Sequence, residues 1–344
     1  MSLKSCKRFI KRIGFSLASI LPFGLLRSAS GRDVLMLNYH SIQGWDVNEV
    51  IRTNNSYRTL DEFEMDILFL KKKYSFIDLP TFLSYAKRQA TIPVNSVLLT
   101  FDDGLSVVYS QIRPILLKHK VPAVFFINPH FIDNKDLHYQ RKKNLLHKSL
   151  KDNDLIGDFE SASNLLKDAG ISSKSISSGI DQISYRNRKV LNDLARCMSF
   201  SFDEYLTKNK IYLDSSQIKE MIEQGFYFGG HSLDHPDFNE LSIQEQYEQT
   251  VGSIDEVCEM YKQKQRVFAF PRNDNKIKNE FFEMVAPHCE ASFGVGGMID
   301  DEVAFHWRRT DIESSQVKAC SALKFYYCKA IVKQLFGFGI YKRK

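Results

Sequence analysis

Short apolar runs alternate with amphipathic stretches along most of this chain. Residues 34–39 (VLMLNY), 97–101 (VLLTF) and 123–127 (AVFFI) are nearly continuous in apolar side chains, the pattern of strands buried on both faces. Between the first two, LDEFEMDILFLKKKY (60–74) spaces its apolar residues three and four apart and predicts a helix with one dry face. YSQIRPILLKHK (109–120) predicts another helix despite Pro114. The cycle resumes after residue 215: SSQIKEMIEQG reads as a helix opened by serine and closed by Gly225, and FYFGG as a strand. SIQEQYEQTVGSIDEVCEMYKQ and NEFFEMVA predict helices, VFAF and ASFGV strands. Repeated βα units of this kind imply a parallel sheet, open or closed into a barrel. From 131 to 215 the pattern changes to Lys, Asn and Ser with helical apolar spacing, as in NLLHKSL and RKVLNDLARCM, which predicts an inserted helical subdomain.

Composition narrows the class. At 344 residues and 43% hydrophobic the chain can bury a large core, and a net charge of +6 from 47 basic and 41 acidic residues is too balanced to imply nucleic acid. Six cysteines without a Cys-x-x-Cys pair point to a reducing compartment. The charge is uneven only at the ends, where Lys4, Lys7, Arg8, Lys11 and Arg12 precede an apolar run and Lys329, Lys333, Lys342, Arg343 and Lys344 are interleaved with one. The start resembles a secretory signal, but Pro22 and Gly24 break the run and Arg27 sits where cleavage would fall. The aromatic and lysine mixture of ALKFYYCKAIVKQLFGFGIYKRK suits an interfacial helix. The expected organisation is therefore a basic amphipathic segment at 1–30, a main domain at 31–320 interrupted by the 131–215 insert, and a second basic amphipathic segment at 321–344. Both ends are expected on a membrane surface, at its cytoplasmic face, with export through the N-terminus as the alternative.

The chemistry begins at LLTFDDG (98–104), where a buried strand runs into Asp102 and Asp103. Successive strand residues face opposite ways, so one acid can hold a cation while the other moves a proton. A plain Asp-Gly turn is the competing account. GGHSLDHP (229–236) follows another strand, and the four-residue spacing of His231 and His235 places both on one face of a helical turn. With Asp103 they offer two nitrogens and one oxygen to a metal with open positions, leaving Asp102 as base. The simpler alternative is a pair of surface histidines, with Asp234 as a turn residue.

LLTFDDG and GGHSLDHP, together with EFEMDILFLKKKYSFIDLPTFLSY, resemble the polysaccharide deacetylases, metal-dependent N- and O-deacetylases. The resemblance covers most of 34–130 and 216–312, but neither the insert nor the ends. It implies a distorted (β/α) barrel, a metal triad of Asp103, His231 and His235, and Asp102 as catalytic base. LNYHSI is similar to the Tyr-His motif of the branch represented by biofilm poly-N-acetylglucosamine deacetylases, which implies His40 as general acid; a satisfied strand-end histidine is the alternative. FAFPRND (268–274) stands where the family has aromatic-Pro-Tyr-Gly, so Pro271 and the backbone N–H of Arg272 fall at the oxyanion position although the Tyr-Gly is replaced. WRRTDI (307–312) resembles a late strand of the same branch and makes Arg309 a partner for a carboxylate or a substrate anion, with a surface salt bridge as the simpler account.

The implied activity is removal of an N-acetyl group from an amino sugar of a cell-surface glycan or its lipid-linked precursor. One divalent ion is implied, zinc first, with cobalt, nickel, manganese or iron as alternatives. The partners implied are an N-acetylated sugar and a membrane surface, with no nucleic acid. Three rivals stay open: a secreted O- or N-deacetylase, a sugar-binding barrel that has lost turnover, and a glycosidase, which needs two carboxylates and no histidine pair.

Overall fold

The apolar runs pair side by side and in one direction, as strands joined by helices must. The computed structural model describes residues 20–42, 58–151, 157–313 and 317–343. The chain opens with α1 (Phe23–Ala29), β1 (Val34–Tyr39), α2 (Leu60–Lys73), β2 (Ser75–Phe76), α3 (Leu79–Ala86), β3 (Ser96–Phe101), α4 (Arg113–His119) and β4 (Val124–Ile127). The insert carries α5 (Tyr139–Lys151), α6 (Phe159–Asp168), α7 (Ile176–Gln182), α8 (Val190–Cys197) and α9 (Phe202–Lys208). Then follow α10 (Ser215–Glu223), β5 (Tyr227–Gly230), α11 (Ile243–Tyr261), β6 (Val267–Ala269), α12 (Asn279–Val285), β7 (Ala291–Val295), β8 (Asp300–Asp301), β9 (His306–Asp311), α13 (Ala319–Leu335) and β10 (Ile340–Tyr341). The order β1-β9-β7-β6-β5-β4-β3 returns to β1, with Asn38 opposite Thr100 and Tyr39 opposite Phe101, so the sheet closes into a parallel barrel. β2 adds a short edge on β3.

Alternation along the strands divides the apolar residues. Val34, Met36, Leu98, Val124, Phe126, Val267, Ala269, Ala291 and Phe293 fill the lumen, where Phe126 meets Phe293 across it at 5.3 Å between ring centroids. Leu35, Leu37, Tyr39, Val97, Leu99 and Phe101 face outward and pack under helices. The amphipathic helix read over 60–74 is α2, opened by a capping box of Thr59 and Glu62. α3 lies across the amino ends of the strands and stops the lumen: Leu79, Phe82 and Leu83 are buried with the lumen residues, and Phe82 packs on Phe293 and Trp307. Towards the strands' carboxyl ends, which form the mouth of the site, the lumen turns polar, with Thr100, Asp102 and Arg309.

The C-terminal segment is part of the barrel's coat rather than a separate amphipathic arm. α13 buries Ala319, Ala322, Leu323, Tyr327 and Ala330, residues three and four apart, and Tyr327 exchanges a 2.7 Å hydrogen bond with Tyr74. α1 packs against α13, with Phe23 edge-on to Phe69, Tyr74 and Tyr327. The lysines and aromatics of α13 are plain in the sequence, but the buried stripe rich in alanine is what holds it to the barrel. Residues 1–19 of the N-terminal basic segment lie outside the described residues. No helix among the described residues is long and apolar enough to cross a membrane.

Candidate active site

Strand β3 carries Leu98 and Thr100 up the lumen to Asp102, whose backbone N–H donates to Tyr39 O at 3.0 Å. Asp102 thus continues the strand's alternation and stays inside. From β9, Arg309 donates Nη1 to Asp102 Oδ1 at 2.6 Å and Nη2 to Oδ2 at 2.7 Å, a fork-on-fork pair with both side chains out of solvent. Burial would push the Asp102 carboxyl up, but the charges of Arg309, His231 and His40 hold it below its ordinary value. Two expectations for Arg309 are corrected here. It faces the lumen, so it is neither a surface ion pair nor a receptor for a substrate anion; both arms of its fork are committed to Asp102.

One residue later the chain leaves the strand. Asp103 (φ 73°) and Gly104 (φ 62°) are left-handed, and a Cβ on Gly104 would lie 3.0 Å from Ile127, so this turn requires glycine. The turn brings Asp103 Oδ1 to 3.5 Å from His231 Nε2 and 3.3 Å from His235 Nε2. His231 follows β5 directly, held by its N–H on Ile127 O at 2.9 Å. Its Nδ1 lies 2.8 Å from Ala269 O, which places the ring hydrogen there and leaves the Nε2 lone pair facing Asp103. The two histidines converge through a loop and not through the helical turn that their spacing suggested. Ser232 (φ 66°) and His235 (φ 57°) are both left-handed, and Ser232 Oγ accepts the His235 N–H at 3.0 Å. Asn128 Nδ2 braces the loop on Ser232 O at 3.0 Å.

These residues suit a divalent cation. Asp103 Oδ1 is buried without a hydrogen-bond partner, and Asp103, His231 and His235 each bring one donor atom to a common point. Burial would raise the Asp103 carboxyl, yet His231, His235 and His40 bring it well below the usual range. Burial lowers His235 further than Asp103 raises it, favouring a neutral imidazole.

His40, at the end of β1, stands on the other side of Asp102, with Nε2 3.8 Å from Asp102 Oδ2. Its Nδ1 meets Glu313 Oε1 at 2.5 Å, and the His40 backbone N–H donates to Glu313 Oε2 at 2.8 Å. Burial alone would lower His40, but Glu313, then Asp102 and Asp103, raise it to about 10. The ring is still about a third exposed, at 32%. A buried acid on one nitrogen and open space by the other is not the satisfied strand-end histidine that was the alternative. Glu313 itself carries no local signal in the sequence: it lies 273 residues from its partner.

The insert also reaches the mouth. His138 Nε2 lies 2.6 Å from His235 Nδ1, and Arg141 Nη2 donates to Asp103 Oδ2 at 3.2 Å. Burial, then His235, keep His138 well below its ordinary value and hence neutral. Asp234, read as a turn residue, accepts from Tyr185 Oη at 2.6 Å and Arg188 Nη2 at 3.0 Å, tying the insert to the histidine loop. Pro271 and Arg272 stand in the loop after β6; Arg272 (φ 60°) turns its guanidinium to Asp237 Oδ2 at 3.2 Å.

A second group of Asp274, Asp301 and His306 is close enough to hold an ion. Here the charges are already balanced. Asp274 accepts from Arg343 at 2.6 Å, His306 at 3.1 Å and Arg308 at 3.2 Å, and Asp301 from Arg343 at 2.8 Å and Arg308 at 3.0 Å.

A closed parallel barrel with an Asp-His-His cluster and a buried Asp–Arg pair at its mouth defines a class of hydrolases, and comparison with known proteins agrees. Residues 89–281 match the family model described as polysaccharide deacetylase, and the chain belongs to this family. It is 32% identical over 113 residues to poly-beta-1,6-N-acetyl-D-glucosamine N-deacetylase of Staphylococcus aureus, covering 30% of this chain and 39% of the relative. The enzyme of the same name from Staphylococcus epidermidis is 31% identical over 113 residues, with 30% and 39% covered. The chain thus spans about two fifths of the length of these relatives. Among solved structures it resembles the Streptococcus pyogenes deacetylase PplD in complex with acetate, with TM-score 0.54 and 16% identity over 81% of this chain and 92% of that one. It also resembles IcaB from Ammonifex degensii, with TM-score 0.53 and 16% identity over 86% and 97%. At that identity the likeness speaks to the fold.

Proposed function

We propose that this protein removes the N-acetyl group from an amino sugar of a cell-surface glycan, with one divalent ion, zinc first, held by Asp103, His231 and His235. The observation that carries the reading is Asp103 Oδ1, a buried acceptor without a hydrogen-bond partner faced by two imidazole Nε2 atoms. When bound, such an ion supplies polarisation of the scissile carbonyl and a more acidic water. Asp102, ionised beside Arg309, takes the proton of the attacking water; each of its oxygens keeps a second lone pair beyond the guanidinium. His40, kept protonated by Glu313, delivers a proton to the departing amine, without which an amide nitrogen leaves poorly. The Arg272 N–H is the proposed donor to the developing oxyanion. The names of the staphylococcal relatives support an N-acetylglucosamine polymer as substrate. The test is to incubate metal-loaded protein with acetylated glucosamine oligomers and follow acetate release and the acetyl-sized mass loss. Tight oligomer binding with no acetate would instead favour a binding barrel without turnover.

The same reading places the enzyme on a membrane, at the cytoplasmic face. Leu25 on α1, Val332 and Leu335 on α13, Phe336 and Phe338 just after it and Ile340 on β10 are each exposed, as are Lys329 and Lys342. The five described cysteines are free thiols, which supports a reducing compartment. α13 runs back from the mouth, so this patch lies at the amino ends of the strands, about 25 Å away by the rise of its 17 residues. A barrel docked there turns its mouth from the bilayer, towards the aqueous side. Deleting residues 322–344 would remove buried Leu323 and Tyr327, so point changes are the better probe. Leu335→Ser with Phe336→Ser should reduce binding to anionic liposomes and leave turnover of a soluble oligomer intact; a processed, exported N-terminus in cells would return the secreted enzyme.

A further inference from the structure

The insert touches the far side of the proposed metal centre. His138, immediately before α5, sets its Nε2 2.6 Å from His235 Nδ1 and 3.1 Å from the His235 carbonyl oxygen, with the two rings 4.2 Å apart and at 86°. Arg141, within the first turn of α5, holds Asp103 Oδ2 and so leaves Oδ1 turned to the histidines. Tyr212, where the chain returns from the insert, accepts the His138 N–H at 3.2 Å and lies beneath the Arg141 guanidinium at 5.7 Å. His138, Arg141 and Tyr212 line one small cavity with Asp103 and His235. Helix packing alone does not call for this arrangement, since His138 is buried and its ring edge is aimed at another ring's nitrogen.

We infer that the insert is the outer support of the metal centre and that His138 is a positioning residue, fixing the ring angle and hydrogen placement of His235. This rests on the metal reading given under Proposed function.

Two hydrogen arrangements satisfy the contact between the rings. In the first, Gln140 N–H donates to His138 Nδ1, His138 Nε2–H donates to His235 Nδ1, and His235 Nε2–H points at Asp103. In the second, His235 Nδ1–H donates to His138 Nε2, and His138 carries its own hydrogen on Nδ1, giving up both the 3.2 Å Gln140 contact and the 3.1 Å contact with the His235 carbonyl oxygen. Only the second leaves a lone pair on His235 Nε2 for a cation, as the Ala269 carbonyl already ensures at His231. Each state holds two ring hydrogens, so the exchange moves protons between nitrogens without net release. A ligand histidine whose far N–H is accepted by a fixed partner is a better and better-aimed donor, and loss of such partners typically weakens metal binding about 10- to 100-fold.

The experiment measures zinc affinity of the full-length protein by chelator competition, together with the visible spectrum of its cobalt form. Wild type comes first: if it takes up no metal, the metal reading falls and this inference with it. Given binding, His138→Leu should lose about 10- to 100-fold in affinity and shift the cobalt bands. His138→Gln, whose amide oxygen accepts the same N–H, should recover most of both. A folded Leu variant with wild-type affinity and spectrum overturns the inference while leaving the metal reading standing. Long-range proton–nitrogen spectra of the zinc-loaded wild type need no variant: hydrogen on Nδ1 of both His138 and His235 is expected, and hydrogen on His138 Nε2 overturns the assignment.

Discussion

Arg308 and Arg309 are neighbours on β9, yet they belong to two clusters with opposite character. Arg309 enters the lumen and pairs with Asp102; Arg308 points out of the barrel to Asp274 and Asp301. The inner cluster brings one aspartate and two histidines within ligand reach, the outer cluster two aspartates and one histidine, and both are largely shielded from solvent. They differ in how far the carboxylate oxygens are satisfied. Outside, two guanidiniums face two carboxylates, and Arg343 ties the chain end and β10 to the body of the protein. Inside, Arg309 holds both oxygens of Asp102 and Arg141 holds Oδ2 of Asp103, but Asp103 Oδ1 is left without a hydrogen bond. Proximity of acids and histidines therefore does not identify a site; an acceptor left short of donors does.

The sharpest way to break the comparison is to remove donors from the inner cluster. Asp103→Ala and His231→Ala should each abolish stoichiometric metal uptake and turnover, whereas Asp102→Asn should keep the metal and lose turnover; metal analysis beside an acetate assay checks both. Next is Arg309→Met, which strands a buried carboxylate and should cost about 3–5 kcal/mol of stability as well as most activity. Because the folded-state pKa of Asp102 is depressed, its contribution to stability is present above the ordinary carboxylate range and is lost as pH falls through the folded value. The gap between wild type and Arg309→Met in denaturant titrations should therefore narrow towards low pH.

Glu313→Gln is expected to act more gently, lowering turnover about 100-fold and moving the alkaline limb of the rate profile down by about 1 to 3 pH units. His40 is raised to about 10, so the stability it gains from Glu313 is full below its ordinary value and disappears as pH rises through about 10. Equal melting points for wild type and Glu313→Gln at pH 6 would contradict this pairing. The smallest effect on catalysis belongs to the outer cluster. Arg308→Met should lower the melting temperature but leave metal content and kcat/KM unchanged at temperatures where it stays folded; a loss of metal would show that the outer acids also serve a site.

The barrel and half of this site were legible because their signals are local. Buried strands show as apolar runs, and the pair Asp102 and Asp103 and the pair His231 and His235 each sit at the end of such a run. The rest depends on contacts that no local pattern carries. Glu313 reaches His40 across nearly the whole chain, and His138 and Arg141 come from an insert whose composition reads as solvent-facing helix. Strand alternation could have placed Arg309 inward, since Phe293 and Trp307 share its face, but nothing local names its partner. The four-residue step between histidines was a true signal with the wrong geometry attached.

The plug formed by α3 makes the barrel a cup rather than a conduit. A sugar chain could not be threaded through it, so on the proposed reaction an acetylated group enters from the rim. The acid which that reaction would free leaves by the same rim. On the proposed reaction, substrate and by-product therefore share one path, and the next sugar waits on the departure of the freed acid.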